Sequence, residues 1–194
     1  MLIEYYDAIR AKNARLERGR VIDSLGWAAR YELCGKFSWA VPGKKALETI
    51  AKYSPIIEVG AGAGYWAYLL RKMGADILAF DPAPPGSGKE NRWIQAKRPW
   101  TEVLEGDHRQ VLLYPERNLM LCWPPMTDMA YQAAWLLGAD RYLIYIGEGP
   151  FGCTADDSFF QLLKEQFEEV DFINIPQWDG IYDAVWVYRK KGGK

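Results

Sequence analysis

Two short apolar runs with a helical stripe between them dominate the middle of the chain. Ile56-Ile57-Glu58-Val59 has the length and β-branched content of a buried parallel strand. Trp66, Leu69, Leu70 and Met73 then recur at helical spacing, and Gly74 closes that helix. A second apolar run, Ile77-Leu78-Ala79-Phe80, ends on Asp81. Further strands are predicted over 101–107, 118–122 and 141–147, with helices over 44–52, 127–137 and 158–166 and a weaker one over 90–98. Near the end, 170–176 and 182–189 flank Trp178-Asp179-Gly180-Ile181, the pattern of an antiparallel hairpin around an Asp-Gly turn. Strands alternating with helices predict an α/β fold with a largely parallel sheet.

Ahead of this alternation, 2–18 and 21–33 read as helices that stop near Gly19 and Gly35. Such a segment is too small to bury a core of its own. Residues 1–36 are therefore expected to form a helical extension packed on a main domain at 37–190, with 191–194 as a disordered tail.

The turn between the first two central runs carries the candidate chemistry. Gly60, Gly62 and Gly64 alternate there. Glycine tolerates positive φ and lets the backbone approach a ligand, and the turn opens a helix whose free N–H groups suit polar or anionic groups. Asp81, at the end of the second strand, is placed to accept the hydroxyls of a ribose. A strand, a glycine turn, a helix and a second strand ending in an acid is the unit in which α/β folds bind nucleotide-like cofactors. The dinucleotide fingerprint is G-x-G-x-x-G, however, and here the spacing is G-x-G-x-G with Glu58 two residues ahead.

E-x-G-x-G-x-G resembles motif I of the class I S-adenosylmethionine-dependent methyltransferases, and the resemblance extends from about Phe37 to Arg189. It implies a doubly wound, mostly parallel seven-stranded sheet ending in an antiparallel hairpin, with helices on both faces. It also implies S-adenosyl-L-methionine as cofactor. Glu58 would lie near the amino-acid end of the cofactor, Gly60, Gly62 and Gly64 beneath its sugar and methionine part, and Asp81 on the ribose. Asp107 matches the acid that accepts from the adenine amino group, with His108 against the adenine edge. Trp39 falls in the loop that closes over the methionine end, and Cys122 closes the fourth strand beside it. Trp123-Pro124-Pro125 follows that strand where amino methyltransferases of nucleobases or glutamine carry N/D/S-P-P-Y/F. Both flanks depart from that pattern. Trp123 replaces the polar residue, and indole only donates; Met126 replaces the aromatic. Glu148, after the fifth strand, projects toward the acceptor side, because ligands of open α/β sheets sit at the carboxyl ends of strands.

Composition narrows the acceptor. A net charge of −1 over 194 residues offers no broad basic field, which disfavours nucleic acid. Aromatic residues reach 14%, including nine Trp and twelve Tyr, and suit a pocket for a flat or cationic group. The expected activity is methyl transfer to an N or O nucleophile of a small molecule or protein side chain. The alternatives are nucleobase amino-methylation through Pro124-Pro125 and a catalytically silent cofactor binder. One histidine and three scattered cysteines predict no metal site and no disulfide framework. No apolar run spans a bilayer and the start of the chain lacks a secretory pattern, so the expected setting is the cytoplasm.

Overall fold

The computed structural model describes residues 3–12, 14–22 and 27–192. The chain opens with α1 (Ile3–Ala11), β1 (Arg15–Glu17), β2 (Arg20–Ile22), α2 (Trp27–Lys36) and α3 (Lys44–Ile50). Next come β3 (Ile56–Val59), α4 (Tyr65–Lys72), β4 (Ile77–Asp81), β5 (Leu104–Glu105), α5 (Gln110–Leu113) and β6 (Asn118–Cys122). The last elements are α6 (Met129–Leu136), β7 (Tyr142–Gly147), α7 (Asp157–Gln166), β8 (Phe167–Asn174), β9 (Gln177–Trp178) and β10 (Ala184–Lys190).

Seven strands form one sheet in the order β5-β4-β3-β6-β7-β10-β8. The first five are parallel to one another, whereas β10 runs antiparallel to both β7 and β8. This is the doubly wound sheet with a terminal antiparallel pair that the sequence predicts. Every residue of β3 is buried, as a central strand covered on both faces requires. Two buried clusters lie on the two faces. One gathers Ile56, Trp66, Leu69 and Leu70 with Tyr5 and Ile9 of α1; the other gathers Ile57, Leu119, Leu121 and Phe159. The alternation of β3 side chains between the clusters follows from the two-residue period of a strand.

Three expectations change. First, the helix read over 2–18 ends at Ala11, and the predicted helix over 21–33 begins only at Trp27; β1 and β2 form an antiparallel hairpin between them. Arg18 and Gly19 both take left-handed backbone (φ 48 and 78), the geometry of a two-residue hairpin turn. The parts of those predicted helices at residues 2, 13 and 23–26 lie outside the described residues, as do 193–194 of the predicted tail. Second, the Trp178–Ile181 turn forms, with Ile181 N–H on Trp178 O (3.0 Å) and Gly180 left-handed (φ 74), but it does not join β8 directly to β10. The connection from β8 to β10 includes β9, which leaves the main sheet to pair in parallel with β2.

Third, the predicted helix over 90–98 is absent: the connection from β4 to β5 over 82–103 is irregular throughout. Gly86 and Gly88 take left-handed backbone, which breaks any helical run just ahead of 90–98. Backbone groups of this connection bond outward instead. Gln95 N–H donates to Gly35 O (2.8 Å) and Trp100 N–H to Ala63 O (2.8 Å). Trp93 O accepts from Trp39 Nε1 (3.3 Å) and Arg92 O from Tyr31 Oη (2.5 Å). The connection is thereby laid across the glycine turn and the end of α2. No described helix is long and apolar enough to cross a membrane.

Candidate active site

The glycine turn follows β3 as predicted, with Gly60, Gly62 and Gly64 all left-handed (φ 75, 59 and 75). At Gly60 a side chain is disfavoured by the backbone and must push a neighbour aside. The backbone conformation disfavours L residues, and a Cβ would come within 3.1 Å of Met129 Cε. Beside the turn, Glu58 is 1% exposed and its Oε2 is buried with no hydrogen-bond partner among the described residues. Burial pushes its carboxyl up to about 8; Arg71 opposes that rise and Asp81 adds to it. A neutral, unsatisfied carboxyl at the end of a central strand is costly unless a ligand uses it.

Asp81 is buried at the end of β4, and burial raises its carboxyl despite three donors. Its Oδ2 accepts from Gly62 N–H (2.8 Å), and its Oδ1 accepts from Ala83 N–H (2.9 Å) and Asn91 Nδ2 (3.2 Å). A carboxylate has about four lone-pair sites, so the capacity left here is for one further donor rather than two. Accepting both hydroxyls of a ribose requires Asn91 to withdraw. Asp107 follows β5 but is tied to Arg109, whose guanidinium and backbone N–H hold its carboxyl down to about 2. His108 is partly exposed beside it.

On the other side of β3, β6 ends at Cys122, whose thiol is raised by burial, then by Glu58 and Asp183. Trp123 takes left-handed backbone (φ 53), its N–H donates to Ile146 O (2.7 Å), and Pro124 and Pro125 lead the chain out of the sheet. The Trp123 ring stacks on Trp39 (centroids 5.0 Å, 21° between planes), and Trp39 meets Trp93 edge-on at 5.7 Å. Trp39 is thus an aromatic wall shared by the strand end and the β4–β5 connection. Glu148, expected to face an acceptor, spends its carboxylate on its own loop and on the segment before β10. Oε2 accepts from Cys153 N–H and Sγ (2.9 Å each), and Oε1 accepts from Tyr182 N–H (2.9 Å). Burial pushes Glu148 upward, but these donors hold it below the ordinary value. It lines an open cleft of about 520 Å3 between residues 148–153 and 180–182.

Sequence reading missed Asp183. It is 0% exposed, its Oδ1 accepts from Trp123 Nε1 (2.8 Å), and its Oδ2 has no partner among the described residues. Burial pushes its carboxyl up to about 7, with Glu148 adding to the rise and Trp123 and Arg30 opposing it. The Trp123 indole, which can only donate, fixes a carboxyl whose other oxygen is free to accept a hydrogen bond. The sequence signal was an acid immediately before the last strand, hidden by reading Asp183 as part of an alternating strand. Among the described residues no group of three or more His, Cys, Asp or Glu side chains is placed to hold a metal ion.

Strand order, left-handed glycine turn and terminal antiparallel strand together define the class. The chain has the fold of the class I S-adenosylmethionine-dependent methyltransferases. Solved structures with this fold include a TehB-like S-adenosylmethionine-dependent methyltransferase from Corynebacterium glutamicum, 18% identical, matching 85% of this chain and 96% of that one with a TM-score of 0.50. A mutant of MtNAS in complex with S-adenosylmethionine is 14% identical over 87% of this chain and 65% of that longer one (TM-score 0.51). A structure described for the conversion of a disulfide bond into a thioacetal group during echinomycin biosynthesis is 13% identical over 77% and 82% of the two chains (TM-score 0.51). No protein-family model and no curated protein matches the sequence.

Proposed function

We propose that this protein is an S-adenosylmethionine-dependent methyltransferase that acts on an N or O nucleophile of a small molecule or protein side chain. The observation that carries this reading is Glu58: a buried, unsatisfied carboxyl beside three left-handed glycines, in this fold. In the proposed complex Glu58 takes the α-ammonium of the cofactor and the glycine turn lies under its methionine and sugar. Asp81 accepts from the ribose, and Asp107, released from Arg109, accepts from the adenine amino group. Bound there, S-adenosylmethionine would supply an electrophilic methyl on a sulfonium.

The remaining work is positioning, exclusion of water and handling of one proton. Trp39, Trp93 and Trp123 make an aromatic wall, and Pro124 and Pro125 hold the backbone after β6. Asp183 Oδ2 is the atom assigned to accept a hydrogen bond from the acceptor nucleophile and to take its proton as the new N–C or O–C bond forms. The electron pair of the broken S–C bond stays on sulfur as the thioether product. Titration calorimetry with S-adenosylmethionine, S-adenosylhomocysteine and NADH tests the reading. Binding of the first two and not the third is expected; a folded protein that binds neither sulfur compound overturns it.

A further inference from the structure

Asn91 links the buried acid at the end of β4 to the connection that follows it. Its Nδ2 donates to Asp81 Oδ1 (3.2 Å) and to Ala83 O (3.5 Å), while its Oδ1 accepts from Trp93 N–H (3.1 Å). Gly62 N–H takes one site on Asp81 Oδ2, and Ala83 N–H takes one on Oδ1. Each carboxylate oxygen offers about two acceptor sites. Asn91 therefore fills Oδ1, and a single site is left on Oδ2. Without Asn91 one site would be open on each oxygen, the arrangement that the two O–H donors of a vicinal diol match.

The backbone is held differently on the two sides of Asn91. Downstream, Arg92 O accepts from Tyr31 Oη (2.5 Å) and Trp93 O from Trp39 Nε1 (3.3 Å). Gln95 N–H and Ala96 N–H both donate to Gly35 O (2.8 and 3.2 Å). Upstream of Asn91 the chain leaves buried Pro84, and the bonds it makes are local. Ser87 N–H donates to Pro84 O (3.1 Å), and Lys89 N–H to Ser87 Oγ (3.3 Å). The further tie among the described residues is the ion pair of Lys89 with Glu105, both half-exposed, and such pairs contribute little. Gly86 and Gly88 are exposed and left-handed (φ 90 and 77), and a Cβ on either would meet nothing within 4 Å. Packing does not fix this stretch. Residues 85–91 thus form a flap between two held ends, with Asn91 fastening it to the buried carboxylate.

We propose that this flap is a latch on the cofactor site: Asn91 stands in for one ribose hydroxyl on Asp81, and a ligand carrying both hydroxyls binds only by releasing it. The proposal rests on the methyltransferase reading above and adds a conformational step to that site. Arg92 and Trp93 stay anchored while the flap swings out on its glycines. The closed flap lowers the apparent affinity for the cofactor by the fraction of protein in which the latch is open. A ligand with one hydroxyl can use the open site on Oδ2 and leaves the latch closed.

Calorimetry tests this with S-adenosylhomocysteine and its 2′-deoxy and 3′-deoxy analogues, on the parent protein and on Asn91→Ala. The variant is expected to bind S-adenosylhomocysteine about 3- to 10-fold more tightly, the scale of one partly exposed hydrogen bond removed from the unliganded state. Its affinity for both deoxy analogues should be unchanged. Hydrogen exchange read by mass spectrometry on the parent protein supplies a measurement that needs no variant. Saturation with S-adenosylhomocysteine should quicken exchange over 86–91 while the rest of the chain is protected, and the deoxy analogues should leave 86–91 as it was. Unchanged or weaker S-adenosylhomocysteine binding by Asn91→Ala would overturn the proposal, as would an equal gain for the deoxy analogues. Slower or unchanged exchange over 86–91 would overturn it too, since the flap would then stay on the ligand or never move. If S-adenosylhomocysteine does not bind the folded parent protein at all, the methyltransferase reading itself falls.

Discussion

Replacing Glu58 by Gln separates what the carboxyl costs the fold from what it does for a ligand. In the folded protein its proton is held up to about 8 against an ordinary 4.5, chiefly by burial. Between those values the native state keeps a proton that the unfolded chain has released. The native state therefore binds more protons, and unfolding free energy falls as pH rises through this window. At about 1.4 kcal/mol per pH unit the loss reaches roughly 4 kcal/mol by pH 9. Glu58→Gln puts a neutral group of the same shape in place and has no such slope. Its stability relative to the parent protein should therefore be about 4 kcal/mol more favourable at pH 9 than at pH 5. Asp183 titrates in both proteins and cancels in the comparison. Urea unfolding followed by tryptophan fluorescence at the two pH values measures the difference; parallel stability curves would refute the reasoning. The same variant should lose cofactor affinity by about 10- to 100-fold, because a buried charged contact is removed. In the parent protein, cofactor binding near pH 7 should release a proton as Glu58 ionises against the ammonium. Calorimetry in buffers of different ionisation enthalpy reads that proton directly.

Other substitutions probe the neighbouring contacts. Gly60→Ala places a methyl 3.1 Å from Met129 Cε on left-handed backbone, and should cost about 1–3 kcal/mol in urea unfolding. Asp81→Ala removes the acceptor for Gly62 N–H, Ala83 N–H and Asn91 Nδ2; cofactor affinity should fall in calorimetry, and amide exchange at Gly62 and Ala83 should quicken. Unchanged affinity would remove Asp81 from the cofactor site. Trp123→Phe takes away the one donor to Asp183 Oδ1 and raises that carboxyl further. Stability should then drop by about 1–3 kcal/mol at pH 8, where Asp183 is ionised, and by less at pH 5, where it holds its proton in the folded state. An equal loss at both pH values would show that only ring packing changed.

The legible parts of this chain are those in which local sequence decides the outcome. β3, the glycine turn, α4 and β4 follow from apolar runs, glycine conformations and helical spacing, all contained within one stretch. Their burial and left-handed φ values agree with the reading. The β1–β2 hairpin escaped because R-L-E-R-G-R-V-I is rich in helix formers, and what stabilises it as strand is pairing with β9 more than 150 residues away. The 90–98 segment misled for the converse reason. Its carbonyls and N–H groups are matched by Gly35, Trp39 and Tyr31, partners no local pattern announces. The acceptor side was the least legible of all. Glu148 looked available because it ends a strand, but Cys153 and Tyr182 occupy it; folding buries Asp183 and Arg30 and leaves one oxygen of the first and two nitrogens of the second unmatched among the described residues. A motif names the residues that serve a shared cofactor, whereas acceptor recognition depends on which buried polar atoms the tertiary fold leaves unmatched. In this protein the unmatched atoms Arg30 Nε, Trp178 Nε1 and Asp183 Oδ2 come from α2, β9 and the residue just before β10, three places that share no local sequence.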